Sequence, residues 1–98
     1  MERPEEIRIN QLQLDKLLDE KQKYFFDKIL LENVFCKNCK GTCTQGIKIS
    51  EMFISTLNDI VVKGICNICG GKVARVMEFG EDPAFYARVT EYRKTLKN

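Results

Sequence analysis

The chain has no histidine among its 98 residues and lacks the residue patterns of common catalytic sites. Without histidine there is no imidazole to act as a general base near neutral pH. The carboxylates occur singly or in adjacent pairs, such as Asp19-Glu20, as expected for a solvated surface. The sequence also contains no glycine-rich phosphate loop and no serine elbow. We therefore expect a protein that is not an enzyme, and we infer no small-molecule substrate.

Long apolar runs are absent as well. Stretches such as residues 60–62 are far shorter than the eighteen or more apolar residues of a membrane span. The first six residues include three acids, and no apolar segment of the kind found in signal peptides follows them. These features predict no membrane partner and an intracellular, cytoplasmic location. In that reducing environment, closely spaced thiols are more often metal ligands or redox groups than disulfides.

The length corresponds to one ordinary domain, and a domain this small often needs a metal or disulfide to stabilise it. Sixteen basic and fourteen acidic residues give a net charge of +2, too low for a strongly basic nucleic-acid clamp. The balance is an average over three segments. Residues 1–35 carry −2, residues 36–75 carry +4, and residues 76–98 are neutral. The middle segment is therefore mildly basic.

Helical periodicity marks both ends of the chain. Residues 11–34 predict one helix, because no glycine or proline interrupts them and apolar residues recur at spacings of three, four and seven. These residues are Leu14, Leu17, Leu18, Phe25 and Ile29. A second helix is predicted over residues 82–97, with Asp82 as N-cap and Pro83 at the first helical position. Its apolar stripe contains Phe85, Val89, Tyr92 and Leu96.

The middle of the chain predicts short strands separated by turns. Residues 47–53, 60–65 and 72–79 are rich in β-branched and aromatic residues and are bounded by glycine or Asn-Asp turn signals. Residues 7–10 alternate too briefly to separate a short strand from a frayed arm. The fold class that we predict is α+β, with a small antiparallel sheet flanked by an N-terminal and a C-terminal helix.

Four of the five cysteines form two copies of one spacing. Cys36-Lys37-Asn38-Cys39 and Cys66-Asn67-Ile68-Cys69 each place two residues between the thiols, so that both sulfurs of a pair can reach one ion. Glycine follows directly after Cys69 but only one residue later after Cys39, and such turns often require positive φ. The predicted metal ligands are therefore Cys36, Cys39, Cys66 and Cys69.

This arrangement resembles a zinc ribbon, in which two Cys-x-x-Cys knuckles bind one ion and the second lies between antiparallel strands. The resemblance covers residues 34–79 and implies one Zn²⁺ per chain. We accordingly predict a single domain, residues 1–98, which consists of an N-terminal arm and helix (1–33), the ribbon (34–79) and a C-terminal helix (82–97). Iron in a rubredoxin-like, electron-transferring site uses similar knuckles, and spacing does not exclude it. A thioredoxin-like redox pair would leave the second knuckle unexplained.

Cys43 is the unmatched cysteine. It could replace Cys39 as a metal ligand, since three cysteines share one loop. It could also be a spare thiol whose pKa falls near a cation and makes it oxidisable. Inert packing is the simpler interpretation, and we prefer it.

Two hypotheses for function follow, and both treat the metal as structural. The first is a module that binds DNA or RNA, because six cations of the basic segment lie on or near the knuckles and could contact phosphate. They are Lys37, Lys40, Lys48, Lys63, Lys72 and Arg75. The second is an adaptor or assembly subunit that binds a protein or itself through the N-terminal helix. Residues 24–31 of that helix are apolar on nearly every side.

Overall fold

The structure is a computed structural model that describes residues 6–32, 34–43 and 45–96. The elements in chain order are β1 (Ile7–Ile9), α1 (Gln11–Leu17), α2 (Glu20–Glu32), β2 (Phe35–Cys36), β3 (Gly41–Thr42), β4 (Ile47–Ile54), β5 (Ile60–Cys66), β6 (Lys72–Met77), a 3₁₀ turn (Phe79–Glu81) and α3 (Pro83–Thr95). The predicted α+β class, an antiparallel sheet with flanking helices, is confirmed. Residues 1–5, 33, 44, 97 and 98, which the predicted domain and its segments include, lie outside the described residues.

The main sheet has four antiparallel strands in the order β1-β4-β5-β6. Residues 7–9, which the sequence left open, form an edge strand in which Ile9 pairs with Met52. Strand β4 contains a bulge between Ile49 and Glu51, where its register against β5 shifts by one residue. The three predicted strands are present, although β6 ends at Met77 and the predicted residue Phe79 begins the 3₁₀ turn.

The two faces of the sheet differ sharply in burial. The inner face joins the helices in one hydrophobic cluster, made of Ile9, Met52, Ile54, Ile60, Val62, Met77, Leu14, Leu17, Leu18, Phe26, Phe85 and Val89. On the opposite side, which we call the outer face, every residue is half-buried or exposed. The outer face consists of Arg8, Lys48, Glu51, Phe53, Val61, Lys63, Ile65, Lys72, Ala74 and Val76. The helices thus cover the sheet on one side.

The predicted single N-terminal helix is wrong, because it is broken into α1 and α2. Leu18 leaves the helix with an extended backbone, ψ 139°. Asp19 then starts α2: its carboxylate accepts a hydrogen bond from the Gln22 amide at 2.7 Å, and its own amide donates to Gln22 Oε1 at 3.1 Å. The break resets the helical phase. Phe26 is therefore buried, whereas Phe25, which the helical spacing grouped with Leu14, Leu17 and Leu18, is 52% exposed.

The C-terminal helix begins as predicted. Asp82 Oδ1 accepts a hydrogen bond from the Ala84 amide at 3.0 Å, and Pro83 occupies the first turn. Phe85 and Val89 are fully buried, but Leu96 is half exposed, so the buried stripe is shorter than predicted. Among the described residues, no helix has the length and apolar character needed to cross a bilayer.

Candidate metal centre

Each cysteine pair lies at the tip of a β-hairpin. Cys36 ends β2 and pairs with Gly41 of β3, which encloses the first knuckle in a two-residue ladder. Cys66 ends β5, and its amide donates to the Gly71 carbonyl at 2.9 Å, which closes the second knuckle before β6 begins. The second knuckle therefore lies between two antiparallel strands, as the ribbon resemblance implied.

The two knuckles share a left-handed residue directly after their second cysteine. Gly70, which follows Cys69, has φ 73°. Lys40, which follows Cys39, has φ 55°, although lysine disfavours this region. The absence of glycine after Cys39 therefore does not change the turn, and the knuckles are alike in backbone as well as in spacing.

The four predicted ligand sulfurs lie within 4.8 Å of one another. Cys36 Sγ is 3.3 Å from Cys69 Sγ, and Cys39 Sγ is 3.8 Å from Cys66 Sγ, so sulfurs of the two knuckles are in contact. A tetrahedron with metal–sulfur bonds of about 2.3 Å has sulfur–sulfur edges of about 3.8 Å. All five cysteines are free. The four-thiol cluster therefore has the composition and spacing to bind one metal ion.

Backbone amides within the knuckles favour the thiolate form of the first cysteine in each pair. The Cys39 amide lowers the pKa of Cys36, and the Cys69 and Ile68 amides lower the pKa of Cys66 to about 6. Hydrogen bonding to Cys69 instead raises the pKa of Cys39 to about 12. Since metals bind thiolates, the amide donors prepare Cys36 and Cys66 for coordination.

The cluster lies at the border between a small hydrophobic core and solvent. Cys36 and Cys66 are buried, Cys39 is half-buried and Cys69 is exposed. The buried pair packs with Val34, Cys43 and Val73 in a cluster separate from the main core. This second core is small, and it includes two of the four ligand cysteines.

Cys43 belongs to this second core and is not part of the four-sulfur cluster. Its side chain is 1% exposed, and burial is the main reason that its pKa rises to about 12. Interaction with the neighbouring Cys66 thiol raises the Cys43 pKa further. The structure thus gathers Cys39, and not Cys43, as the fourth sulfur.

The six predicted cations are all exposed, but they do not form one surface. Lys48, Lys63 and Lys72 lie together on the outer face of the sheet, and Lys37 and Lys40 lie on the first knuckle. Arg75 occupies an inner-face register position opposite Val62. A regular strand places residues three apart on opposite faces, which separates Arg75 from Lys72.

Two asparagines inside the knuckles contribute contacts that the sequence reasoning missed. The Asn67 side-chain amide donates to the Gln45 carbonyl at 3.0 Å, and the Asn67 backbone amide donates to the Gly46 carbonyl. These bonds join the second knuckle to the loop after Cys43. The Asn38 side chain packs against Gly71 of the other knuckle, where a Cβ would collide with it. Each cysteine pair has an asparagine between its two cysteines, and this feature could have predicted such contacts, because asparagine side chains commonly hydrogen-bond nearby backbone groups.

Comparison with models of known protein families, with curated proteins and with solved structures finds no match to this chain.

Proposed function

We propose that this chain is a non-catalytic zinc protein that binds one Zn²⁺ through Cys36, Cys39, Cys66 and Cys69. The observation that carries the proposal is the gathering of four thiols from two hairpin tips within 4.8 Å. Four thiolates leave a tetrahedral zinc ion no open position for water or substrate, so the ion has a structural role.

The local architecture supports a structural role for the metal. The first knuckle is enclosed by strands of two residues each, and the core below it contains five buried residues, two of which are ligands. A two-residue ladder and so small a core provide little stability of their own. Zinc would crosslink the two hairpins, with a binding free energy on the order of 10 kcal/mol in small zinc modules.

Nucleic-acid association is the cellular role that we propose for this scaffold. All six predicted cations are solvent-exposed, and three of them share the outer face of the sheet. Clustered exposed cations attract phosphate and release its counterions, which makes binding favourable at low salt.

A protein adaptor is the second candidate, and two aromatic side chains favour it. Tyr24 is 68% exposed and Phe25 is 52% exposed on adjacent positions of α2. The buried side of the same helix carries Phe26, so core packing does not account for these two aromatics. Exposed neighbouring aromatics are common where a protein or a second copy docks.

Metal analysis tests the zinc assignment. Protein purified without added metal should contain about one zinc per chain, with four thiols that become reactive only on chelation. Cys39→Ser should lose zinc, whereas Cys43→Ala should retain it. A reddish protein that contains iron, or a chain with only two protected thiols, would refute the assignment. Retention of zinc by Cys39→Ser and its loss by Cys43→Ala would move the fourth ligand to Cys43.

Titration tests the cellular role. The zinc-loaded protein should bind single-stranded DNA, RNA or duplex DNA at low salt, and the affinity should fall as salt rises. Failure of all three probes would favour the adaptor. Sedimentation then distinguishes the kinds of partner. Self-association that the double variant Tyr24→Ser, Phe25→Ser abolishes would identify a second copy as the partner, whereas a monomer would indicate a different protein.

A further inference from the structure

The outer face of the sheet combines basic and apolar side chains in an ordered array. Ile65 lies between Lys48 and Lys72 in one row across three strands, and Lys63 lies two residues from Ile65 along β5. Since neighbouring strands are about 4.8 Å apart, the backbones at Lys48 and Lys72 are separated by about 10 Å. Three lysines therefore surround one exposed apolar side chain.

The three lysines keep their charge available to a ligand. In the described part of the chain, neither ion pair involves any of them. Glu51 is the acid of the outer face; it is the register partner of Lys63, and its carboxylate pairs with Arg8 at 4.0 Å. Lys63 Nζ lies 5.0 Å from the centre of the Phe53 ring, a contact that leaves its positive charge in place. An anion bound here would relieve the mutual repulsion of the lysines.

A row of apolar side chains also crosses the same face, farther along the strands from Ile65. Val76 is 49% exposed, and its row partners Val61 and Phe53 are half-buried; the row of Glu51, Lys63 and Ala74 separates them from Ile65, which is 39% exposed. An extended strand of nucleic acid presents phosphates and unstacked bases together, which suits an array of lysines and apolar groups. A duplex hides the faces of its bases and could use only the lysines.

We propose that the outer face binds single-stranded nucleic acid, with Lys48, Lys63 and Lys72 on its phosphates and Ile65 against a base. This inference rests on the proposed nucleic-acid role and assigns that role to one surface and one class of ligand. The first knuckle, with Lys37 and Lys40, is then peripheral to binding.

The experiment compares two triple variants of the zinc-loaded protein by fluorescence anisotropy. One is Lys48→Gln, Lys63→Gln and Lys72→Gln. The matched control is Lys16→Gln, Lys21→Gln and Lys28→Gln, which removes the same charge from exposed positions of α1 and α2. The probes are a labelled 20-nucleotide thymidine strand, its uridine counterpart, a duplex of the same length and polyglutamate. Zinc content verifies the metal site of each variant, and thermal unfolding verifies its main core.

The outer-face variant should bind single strands more than about tenfold less tightly at 50 mM salt than the control. Three lost phosphate contacts should also reduce the magnitude of the slope of log K against log salt by about 2. As salt rises from 50 to 200 mM, the affinity of the wild-type protein should therefore fall about 20-fold more than that of the variant. Ile65→Ser should weaken single-strand binding about fivefold without changing that slope.

Three results would overturn the inference. Equal loss of affinity in the two triple variants would remove the surface assignment and leave the nucleic-acid role intact. If the wild-type protein binds the duplex or polyglutamate as tightly as it binds the single strands, the single strand would no longer be the assigned ligand. Failure of the wild-type protein to bind either strand or the duplex at 50 mM salt would refute the proposed role together with the inference.

Discussion

Lys40 and Gly70 occupy equivalent positions in the two knuckles, and both adopt a left-handed backbone, with φ 55° and 73°. A left-handed conformation costs an L-residue about 1–2 kcal/mol relative to glycine. The first knuckle adopts it nevertheless, because Cys39 and the β3 strand must both be positioned by the same tight turn. The cysteine spacing thus determines the conformation, and glycine only lowers the free-energy cost of its positive φ.

Substitution at these two positions should have opposite effects on stability. Lys40→Gly should stabilise the zinc-loaded protein by about 0.5–1 kcal/mol, since relief of strain exceeds the added entropy of the unfolded chain. Gly70→Ala should destabilise it by about 1 kcal/mol, because alanine is strained at positive φ. A steric clash would not contribute, since a Cβ at Gly70 would meet no atom within 4 Å. Urea unfolding measures both. Lys40→Ala is the control for lost charge and should change stability by less than about 0.5 kcal/mol; a destabilised Lys40→Gly would contradict the account.

Removal of the metal should unfold one end of the molecule before the rest. The cluster of Val34, Cys36, Cys43, Cys66 and Val73 depends on the hairpins that the metal would join, whereas the main core lies between the helices and the sheet. On chelation, hydrogen exchange should accelerate in residues 34–43 and 66–71 and remain slow in the middle of β5 and in α3. Uniform acceleration across the chain would mean that the two cores unfold as one unit.

Acidification should release zinc by protonating the thiolates. The folded-state pKa of Cys66 is lowered to about 6, so its contribution to stability is complete above its ordinary pKa of 9.0 and is lost as the pH falls through 6. Bound zinc favours the thiolate further, and the midpoint of release should therefore lie below about pH 6. Elemental analysis after gel filtration at each pH gives this midpoint. Release centred above pH 7 would show that the amide donors do not prepare the site.

Gln22 should be more important for stability than its polar character suggests. Its side chain is 7% exposed; Nε2 donates to Asp82 at 2.7 Å, and Oε1 accepts from Arg88 at 2.7 Å. It thereby joins the start of α2 to the N-cap of α3. Gln22→Ala should destabilise the protein by about 2 kcal/mol, because it leaves both partners without this bond. Gln11→Ala, which loses one exposed bond to Asp15, is the control and should cost less than about 0.5 kcal/mol in thermal unfolding.

The break between α1 and α2 shows why part of the fold could not be predicted. Leu14, Leu17 and Leu18, which share the predicted helical spacing and precede Asp19, are buried. Phe25 continues the same spacing beyond Asp19 and is exposed, because the break changes the helical phase. Asp19 followed by Gln22 is the pattern of a capping box, and the Gln22 side chain is also bonded by Asp82 and Arg88, which are distant in sequence.

The amino-acid sequence by itself determined the set of four cysteines and the α+β class, because a two-residue spacing and helical or strand periodicity are local properties of the chain. Only the tertiary structure decided which cations share a face. Lys48 and Glu51 are three residues apart and lie on the same face because the β4 bulge inserts one residue between them. Lys72 and Arg75 have the same spacing and lie on opposite faces because β6 is regular. Strand register, which depends on pairing with distant residues, makes that difference.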